Sequence, residues 1–547
     1  MREIITLQLG QQSNYLANHF WNAQESYFTY GADEESPVDH DVHFRPGIGS
    51  DGTETFMPRT VIYDLKGGFG TLRKINSLYE IDGDPSSSSL WSGQTVIQRQ
   101  QPIEASAYQE SLDAGQTPTE LTTSTVRYWS DFNRVFYHPK SIIQLSEYEL
   151  NSTVMPFEKW HMGEELFGSL DKEHDLLDRD LRPFVEEADQ MQGLQIMTGI
   201  DDAWGGFVAK YMERLRDEYG KTPIWVFGAQ EPHRGLPREK RLLKLVNKAR
   251  TLSELNSQAS LVIPLALPER PLPSAVQLDS SSPWHVSALF TAALESVTLY
   301  TRLRTSDRVY SSNLGNITDL LNVFGKQTIA NLEMSISEAP RPHQNGTNGT
   351  HDINGNTNGL NGRGENVRNL YETGVDGIHP DDDSDSGSQK GAATLDIDLS
   401  SPQDLDLGIG GRRRRKRHIF SQVIGDRGLQ TLERANDDND RELREQFGMR
   451  RRPKFHNYRS RVAFPLIDSY PKIFRDSYGH PVRESISVKT ALSTDSTVTD
   501  KVKAIRSTVI RSIGIEDRET IGNELAEIAD SYKEGWFSDS DEDDDDD

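Results

Sequence analysis

The chain has no cysteine among its 547 residues. That excludes disulfides, thiolate zinc sites and cysteine nucleophiles, and it fits a reducing compartment. No apolar run approaches the roughly 18 residues that read as a membrane span. The first residues show neither the apolar core of a signal peptide nor the amphipathic, Arg/Ser-rich pattern of a transit peptide. The expectation is a protein made and kept in the cytosol, one that meets any organelle from outside. Cations are scarce: 60 Lys and Arg stand against 85 Asp and Glu, a formal charge of −25. General nucleic-acid binding needs a basic face and is not expected. Apolar residues make up only 35%, so part of the chain is expected to be disordered. There is no Walker loop, no His-Glu-x-x-His and no Ser/His/Asp signature. His161 and His174 are not at metal-ligand spacing and read as surface or core residues. Apart from an Asn-Gly run there is no repeat of about 20–50 residues.

What is present starts with a strand over 3–9 that runs through Gly10 into a helix over 13–27. Residues 31–58 and 82–120 are rich in turn formers and read as loops, with the strand Thr60–Leu65 between them, ending at Lys66-Gly67-Gly68. Helical spacing covers 163–191, with a break at Pro183. Then come the strand Leu194–Thr198, the turn Gly199-Ile200-Asp201-Asp202-Ala203-Trp204-Gly205-Gly206, a helix carrying Phe207, Tyr211 and Leu215, and the strand Pro223–Gly228. Strand, helix, strand with apolar strands predicts a parallel sheet with helices on both faces. Helices follow at 284–304 and 314–332. Composition changes at Pro340: Asn-Gly repeats and acidic runs lead to Arg412–Arg417, a stretch too polar to offset its ordering entropy. Order is expected again from Ile419, with a strand at Val462–Ile467 and helices over 498–512 and 517–533, before Trp536-Phe537 and an acidic tail. The domains read as 1–339, a disordered insertion over 340–417, a smaller α/β region over 418–535, and the tail 536–547.

Five stretches in order resemble tubulin. They are Met1–Ile4 through Gly10-Gln11, Asn14 and Phe20-Trp21; Met57–Leu65; Trp160–Gly163; Gln192–Gln195; and Phe464–Pro471. With the polar insertion and the Gly535-Trp536 acidic ending, the pattern resembles the Misato/Dml family of divergent tubulin relatives. The resemblance implies an α/β tubulin/FtsZ-like nucleotide-domain fold with a smaller C-terminal region. It also implies a role in mitochondrial distribution and inheritance of the mitochondrial genome, at the cytosolic face of mitochondria and in the cytoplasm. Partners implied are proteins, either tubulin or components of the mitochondrial outer surface; the oligomeric state is open.

Nucleotide loops survive only in part: Gly10, Gln11 and Asn14 in the first, Asp64 in the second, Gly205 and Gly206 in the third. Tubulin's phosphate turn has the form Gly-Gly-Gly-Thr-Gly-Ser-Gly. Here only its outer glycines remain, and Asp201, Asp202 and Trp204 stand where phosphate would lie. One carboxylate about 5 Å from a phosphate charge costs about 3 kcal/mol at an effective dielectric of about 20. Asp201 or Asp202 is instead a suitable helix cap. Gln12, Ser13 and Tyr15 depart from the tubulin pattern, so the first loop is either a nucleotide contact or an ordinary strand-to-helix turn. Lys66 either meets phosphate or is solvated, and Thr318 aligns loosely with a guanine-reading Asn. No Gly-x-x-Asn-x-Asp activation motif follows residue 320. The reading is therefore a non-catalytic scaffold with no cofactor and no metal. A GTP-binding, self-assembling or tubulin-associated GTPase is the alternative. Arg412–Arg417 reads as an import signal, a lipid patch, a protease site or a solvated run, and a nuclear factor is the third class. The acidic tail either attracts basic partners or solubilises.

Overall fold

Every residue of β1 (Ile4–Leu9) is buried. Its alternate side chains enter opposite cores: Ile4 joins the one beneath α1, and Ile5, Leu7 and Leu9 join the other. The computed structural model describes residues 2–29, 35–49, 52–72, 103–232, 235–268, 271–304, 312–338, 395–400, 417–429, 454–512 and 514–533. The disorder expected over 340–417 thus falls outside the described residues, except at 395–400 and Arg417. The acidic tail also falls outside them.

β1 turns at Gly10 into α1 (Gln11–Glu25). β2 (Phe44–Ile48) and β3 (Glu54–Pro58) form an antiparallel hairpin before β4 (Thr60–Lys66). Next come α2 (Ala107–Asp113), β5 (Ile142–Glu149), α3 (Trp160–His174), a π turn at Leu177–Leu181 and α4 (Arg182–Glu186). β6 (Gly193–Gly199), α5 (Trp204–Glu218), β7 (Ile224–Ala229), α6 (Arg238–Gln258) and β8 (Leu261–Leu265) follow. The first sheet has the order β5-β4-β1-β6-β7-β8, and every pairing in it is parallel. Helices cover both faces, as the βαβ pattern predicts: α1 and α7 (Pro283–Thr298) on one, α3, α5 and α6 on the other. α7 is buried nearly all round, as a helix between two sheets must be.

α8 (Leu314–Leu321) leads to the second sheet. Its strands are β9 (Asn331–Glu338), β10 (Ile397–Asp398), β11 (Ile419–Arg427), β12 (Lys454–Ser460), β13 (Phe464–Pro465) and β14 (Ser485–Asp495), in the order β10-β9-β14-β11-β12 with β13 on β14. α9 (Thr497–Val509) and α10 (Ile515–Ser531) close the chain and share the core of α5 and α6. The sheets meet at their edges, where Val262 N–H donates to Thr328 O at 2.7 Å and Ala330 N–H to Val262 O at 2.9 Å. Residues 1–340 and 393–547 form one compact unit.

Several expectations change. Residues 31–58 are not all loop, because buried Phe44 stands opposite Pro58, and buried Met57 opposite Arg45, in the β2–β3 hairpin that Gly and Pro hide in the sequence. α2 lies within the expected loop 82–120. The helix expected over 314–332 ends at Leu321: Gly325, at φ 74°, turns the chain and the next residues enter β9. The strand at Val462–Ile467 shrinks to Phe464–Pro465. α6 and β8 were not foreseen. Within the expected disordered insertion, Ile397–Asp398 pairs with β9 and Leu399 is fully buried. Arg417, expected at the end of a solvated run, is bound to Asp495 at 2.8 Å and to Glu333.

Candidate functional site

In an open parallel sheet, ligands are held outside the carboxyl ends of the strands. Here that edge is formed by Gly10 after β1, Gly67-Gly68 after β4, Gly199–Ala203 after β6 and Gln230 after β7. Gly10 takes φ 84°, a conformation open to glycine. A Cβ there would stand 2.2 Å from Trp204 Nε1, so the indole lies directly on the first loop. Trp204 is 5% exposed. Phe157, at a centroid distance of 5.3 Å, meets it edge-on, and Tyr148 packs on Phe157 at 4.7 Å. Asn247 holds this roof down: it donates to Glu158 O at 2.7 Å and to Asp201 O at 3.1 Å, and accepts from Trp160 N–H at 3.1 Å.

The amino end of α5 is the place where a polyanion would bind, because helix-terminal N–H groups converge there. Each of these groups is already used. Trp204 N–H donates to Asp202 Oδ1 at 2.9 Å and Gly205 N–H to Asp202 O at 3.2 Å. Gly206 and Phe207 N–H both donate to Ala203 O, at 3.0 and 3.2 Å. Of the two acids, Asp202 is the cap. Asp201 is fully buried and pairs with Lys244 Nζ at 3.3 Å, while Lys244 also holds Glu231 at 2.7 Å. Burial, and then the charge of Asp201, push the Asp202 carboxyl up to about 7 against the pull of Lys244. Burial draws Lys244 down, but Asp201 and Glu231 outweigh it and keep the amine charged. Next to them, Lys248 donates to Gln230 Oε1 at 2.6 Å; burial, with Lys501 nearby, lowers its amine to about 7.

The first two loops are tied to each other. Gln11 Nε2 donates to Asp64 Oδ2 at 2.5 Å and to Gly68 O at 2.7 Å, and Asn14 Nδ2 donates to Asp64 Oδ2 at 2.6 Å. Asp64 also accepts from Leu65 N–H at 2.8 Å. Burial raises its carboxyl to about 7, although the backbone and amide donors work in the opposite direction. Both polar atoms of Gln12 are out of water and find no partner among the described residues.

The structure brings Gly10, Gln11, Asn14, Asp64, Asp202 and Trp204 to one edge. It gives Gly205 and Gly206 a different part from the one their sequence suggests. A Cβ on Gly205 would lie 2.1 Å from Thr251 Oγ1, and one on Gly206 would lie 1.9 Å from Trp160 O. They let α5 approach α6 and α3, as Gly163 does from the α3 side, 1.7 Å from Ala203 O by the same measure. Lys66 is exposed. Thr318 is nowhere near this edge: it accepts from Trp225 Nε1 at 2.8 Å at the start of β7, the opposite end of the sheet. Two clefts, of about 630 and about 420 Å³, open elsewhere, one among the carboxyl ends of α5, α6, α8 and α10 and the other around Leu466–Arg483. The sequence reading missed Lys244, Asn247 and Lys248, because α6 itself was missed. Its signal was present as Leu245, Ala249, Leu252 and Leu255 at helical spacing.

Nucleotide phosphates do not fit this arrangement. Seating one against α5 requires the Asp202 turn to open and Trp204 to swing off Gly10, and it puts the anion beside Asp201 and Asp202.

The chain is similar to known proteins along its whole length. A Misato segment II tubulin-like domain matches residues 2–114, and a tubulin domain matches residues 118–303. Protein dml-1 of Neurospora crassa is 52% identical, with all of both chains covered. Protein DML1 of Gibberella zeae is 46% identical, again over the whole of both, and protein dml1 of Aspergillus oryzae 46% over 99% of each.

Proposed function

The chain belongs to the Misato/Dml family of tubulin-like proteins, and from that premise we propose that it is a non-catalytic scaffold that has kept the tubulin frame without nucleotide turnover. The observation that carries this reading is the self-satisfied amino end of α5, with Asp202 as its cap and Trp204 laid over Gly10. Side chains supply there what a bound phosphate would otherwise supply. Acting as a scaffold, the protein works through its surface, as a tubulin-shaped adaptor. Family membership supports placing that work at the cytosolic face of mitochondria, in mitochondrial distribution and partition of the mitochondrial genome, with proteins as partners.

Equilibrium binding of labelled GTP to the purified full-length chain tests the first part. We expect no saturable binding up to millimolar nucleotide. Saturable micromolar binding that is lost in Gln11→Ala overturns the reading in favour of a GTPase that assembles with itself or with tubulin. A fluorescent fusion tests the second part: the expected signal is mitochondrial, and a nuclear signal abolished by deleting Arg412–Arg417 would contradict it.

A further inference from the structure

The two sheets touch where β8 and β9 start and then splay apart. Val262 and Ile329 are paired at the crotch. At Ala266, just past the end of β8, the gap is wide enough for another chain, and Leu395–Ser400 fills it. Ala266 N–H donates to Leu399 O at 2.6 Å, and Leu399 N–H donates to Leu332 O at 2.9 Å. One residue thus bridges the edges of both sheets. Ile397 and Leu399 are 1% and 0% exposed and share the core of Leu265, Leu332 and Met334. Asp398, between them, accepts from Ser400 N–H at 2.9 Å. Lys501 Nζ fixes Ser400 Oγ at 2.9 Å and Asn331 Oδ1 at the same distance.

This segment is held as a bound peptide is held. Its ladder with β9 is two residues long. Its two buried aliphatic side chains, Ile397 and Leu399, stand at alternate positions, with Leu395 half-buried at the next one, and the sequence before it, over 341–394, is poor in apolar residues. Backbone edges supply affinity in strand addition, and alternate side-chain pockets supply specificity.

We propose that the fork between β8 and β9 is a strand-accepting groove for a partner protein. The partner is an extended segment with two aliphatic side chains at alternate positions followed by a hydroxyl residue, and Leu395–Ser400 is the exchangeable occupant that guards the groove in cis. The cis sequence itself defines the fit. Ile397 and Leu399 mark the two apolar positions, Ala266 N–H and Leu332 O the backbone contacts, and Lys501 the contact to the hydroxyl. A tethered occupant acts at an effective concentration on the order of millimolar, so a free strand competes poorly until the cis segment leaves.

The probe is a fluorescent synthetic peptide with the sequence of Leu395–Ser400, titrated onto the full-length chain. Vacating the groove with Ile397→Asn and Leu399→Asn should tighten its binding at least tenfold, and adding Lys501→Ala should weaken it again. A peptide carrying Ile397→Asn and Leu399→Asn should not bind. No binding to a vacated chain that keeps its far-UV spectrum overturns the proposal. Should that chain not fold, hydrogen exchange on the unaltered protein decides. The Ala266 and Leu399 amides should exchange at least tenfold faster than those of Val262 and Ala330; equal rates mean the segment leaves only when the whole fold does, and the proposal falls.

Discussion

At the scale of single residues, Gly10 and Trp204 act as a matched pair. The glycine has the φ of 84° that the turn requires, and the absence of a Cβ is what lets the indole close over it. Gly10→Ala is expected to lower stability by about 2–4 kcal/mol, from backbone strain and overpacking together. Trp204→Ala should cost about 3–5 kcal/mol as a large buried side chain is lost. In urea denaturation the double variant should lose clearly less than the sum of the two, because the methyl group added at position 10 then has space. Asp64 gives a second test. Its native carboxyl holds a proton up to about 7, whereas the unfolded one releases it near the ordinary value of 3.8. Between those values the native state binds more protons. Stability from this group is therefore fully present below about pH 4 and falls as pH rises towards 7, with a limiting slope of about 1.4 kcal/mol per unit. Asp202 works in the same direction. Asp64→Asn should flatten the curve of unfolding free energy between about pH 4 and about pH 7 relative to the parent chain; an unchanged slope refutes the assignment.

At the scale of elements, the decisive arrangement is the α3–α5–α6 layer. Gly163, Gly205 and Gly206 remove the side chains that would keep these helices apart, so the glycines that resemble a phosphate turn serve helix packing. The β9–β10 pair shows the same dependence on context. Met334 stands opposite Ile397 in an antiparallel ladder, so the chain leaves for the insertion beside the point where it returns. Joining Pro340 to Ala393 through a short Gly-Asn turn should therefore leave the fold intact, since it shortens the connection between two paired strands. Thermal unfolding of that excised chain is expected within a few degrees of the parent. A fall of more than about 10 °C would show that residues 341–392 contribute to the folded unit.

For the whole molecule, a buried ionic network links the tubulin-like region to the second sheet. Glu295 on α7 binds Arg302 at 2.6 Å and also binds Arg427 of β11, and all three side chains are fully buried. Arg427 further donates to Tyr27 Oη at 2.8 Å and Ala463 O at 2.7 Å, and Gln24 reaches Glu295 at 3.3 Å. Burial favours a neutral Glu295, but Arg427 and Arg302 outweigh it and keep the carboxylate charged. Arg427→Ala leaves Arg302 as the remaining counter-charge of Glu295 and takes the donor from Tyr27 Oη and Ala463 O, and should cost about 1–3 kcal/mol. Because the network spans α1, α7 and β11, both regions should melt in one transition in the parent chain, and calorimetry should resolve no separate early step. Two well-separated transitions would mean that the regions fold independently.

The fold class was readable from the sequence because its evidence is local. Apolar strands such as Ile4–Leu9 and Leu194–Thr198 alternate with helical spacing, and that periodicity alone specifies a parallel sheet covered on both faces. The departure of the third loop from a phosphate turn was also local, since Asp201, Asp202 and Trp204 are neighbours in the chain. Tertiary structure alone decided which acid caps the helix and which pairs with Lys244, where Thr318 lies, and that Ile397–Ser400 belongs to the core. Each of those outcomes depends on a partner far away in sequence: Lys244 on α6, Trp225 on β7, Ala266 and Leu332 on two sheet edges. Local propensity carries no information about which distant side chain will be near enough to neutralise a buried charge or complete a ladder; that is fixed only when the chain has closed on itself.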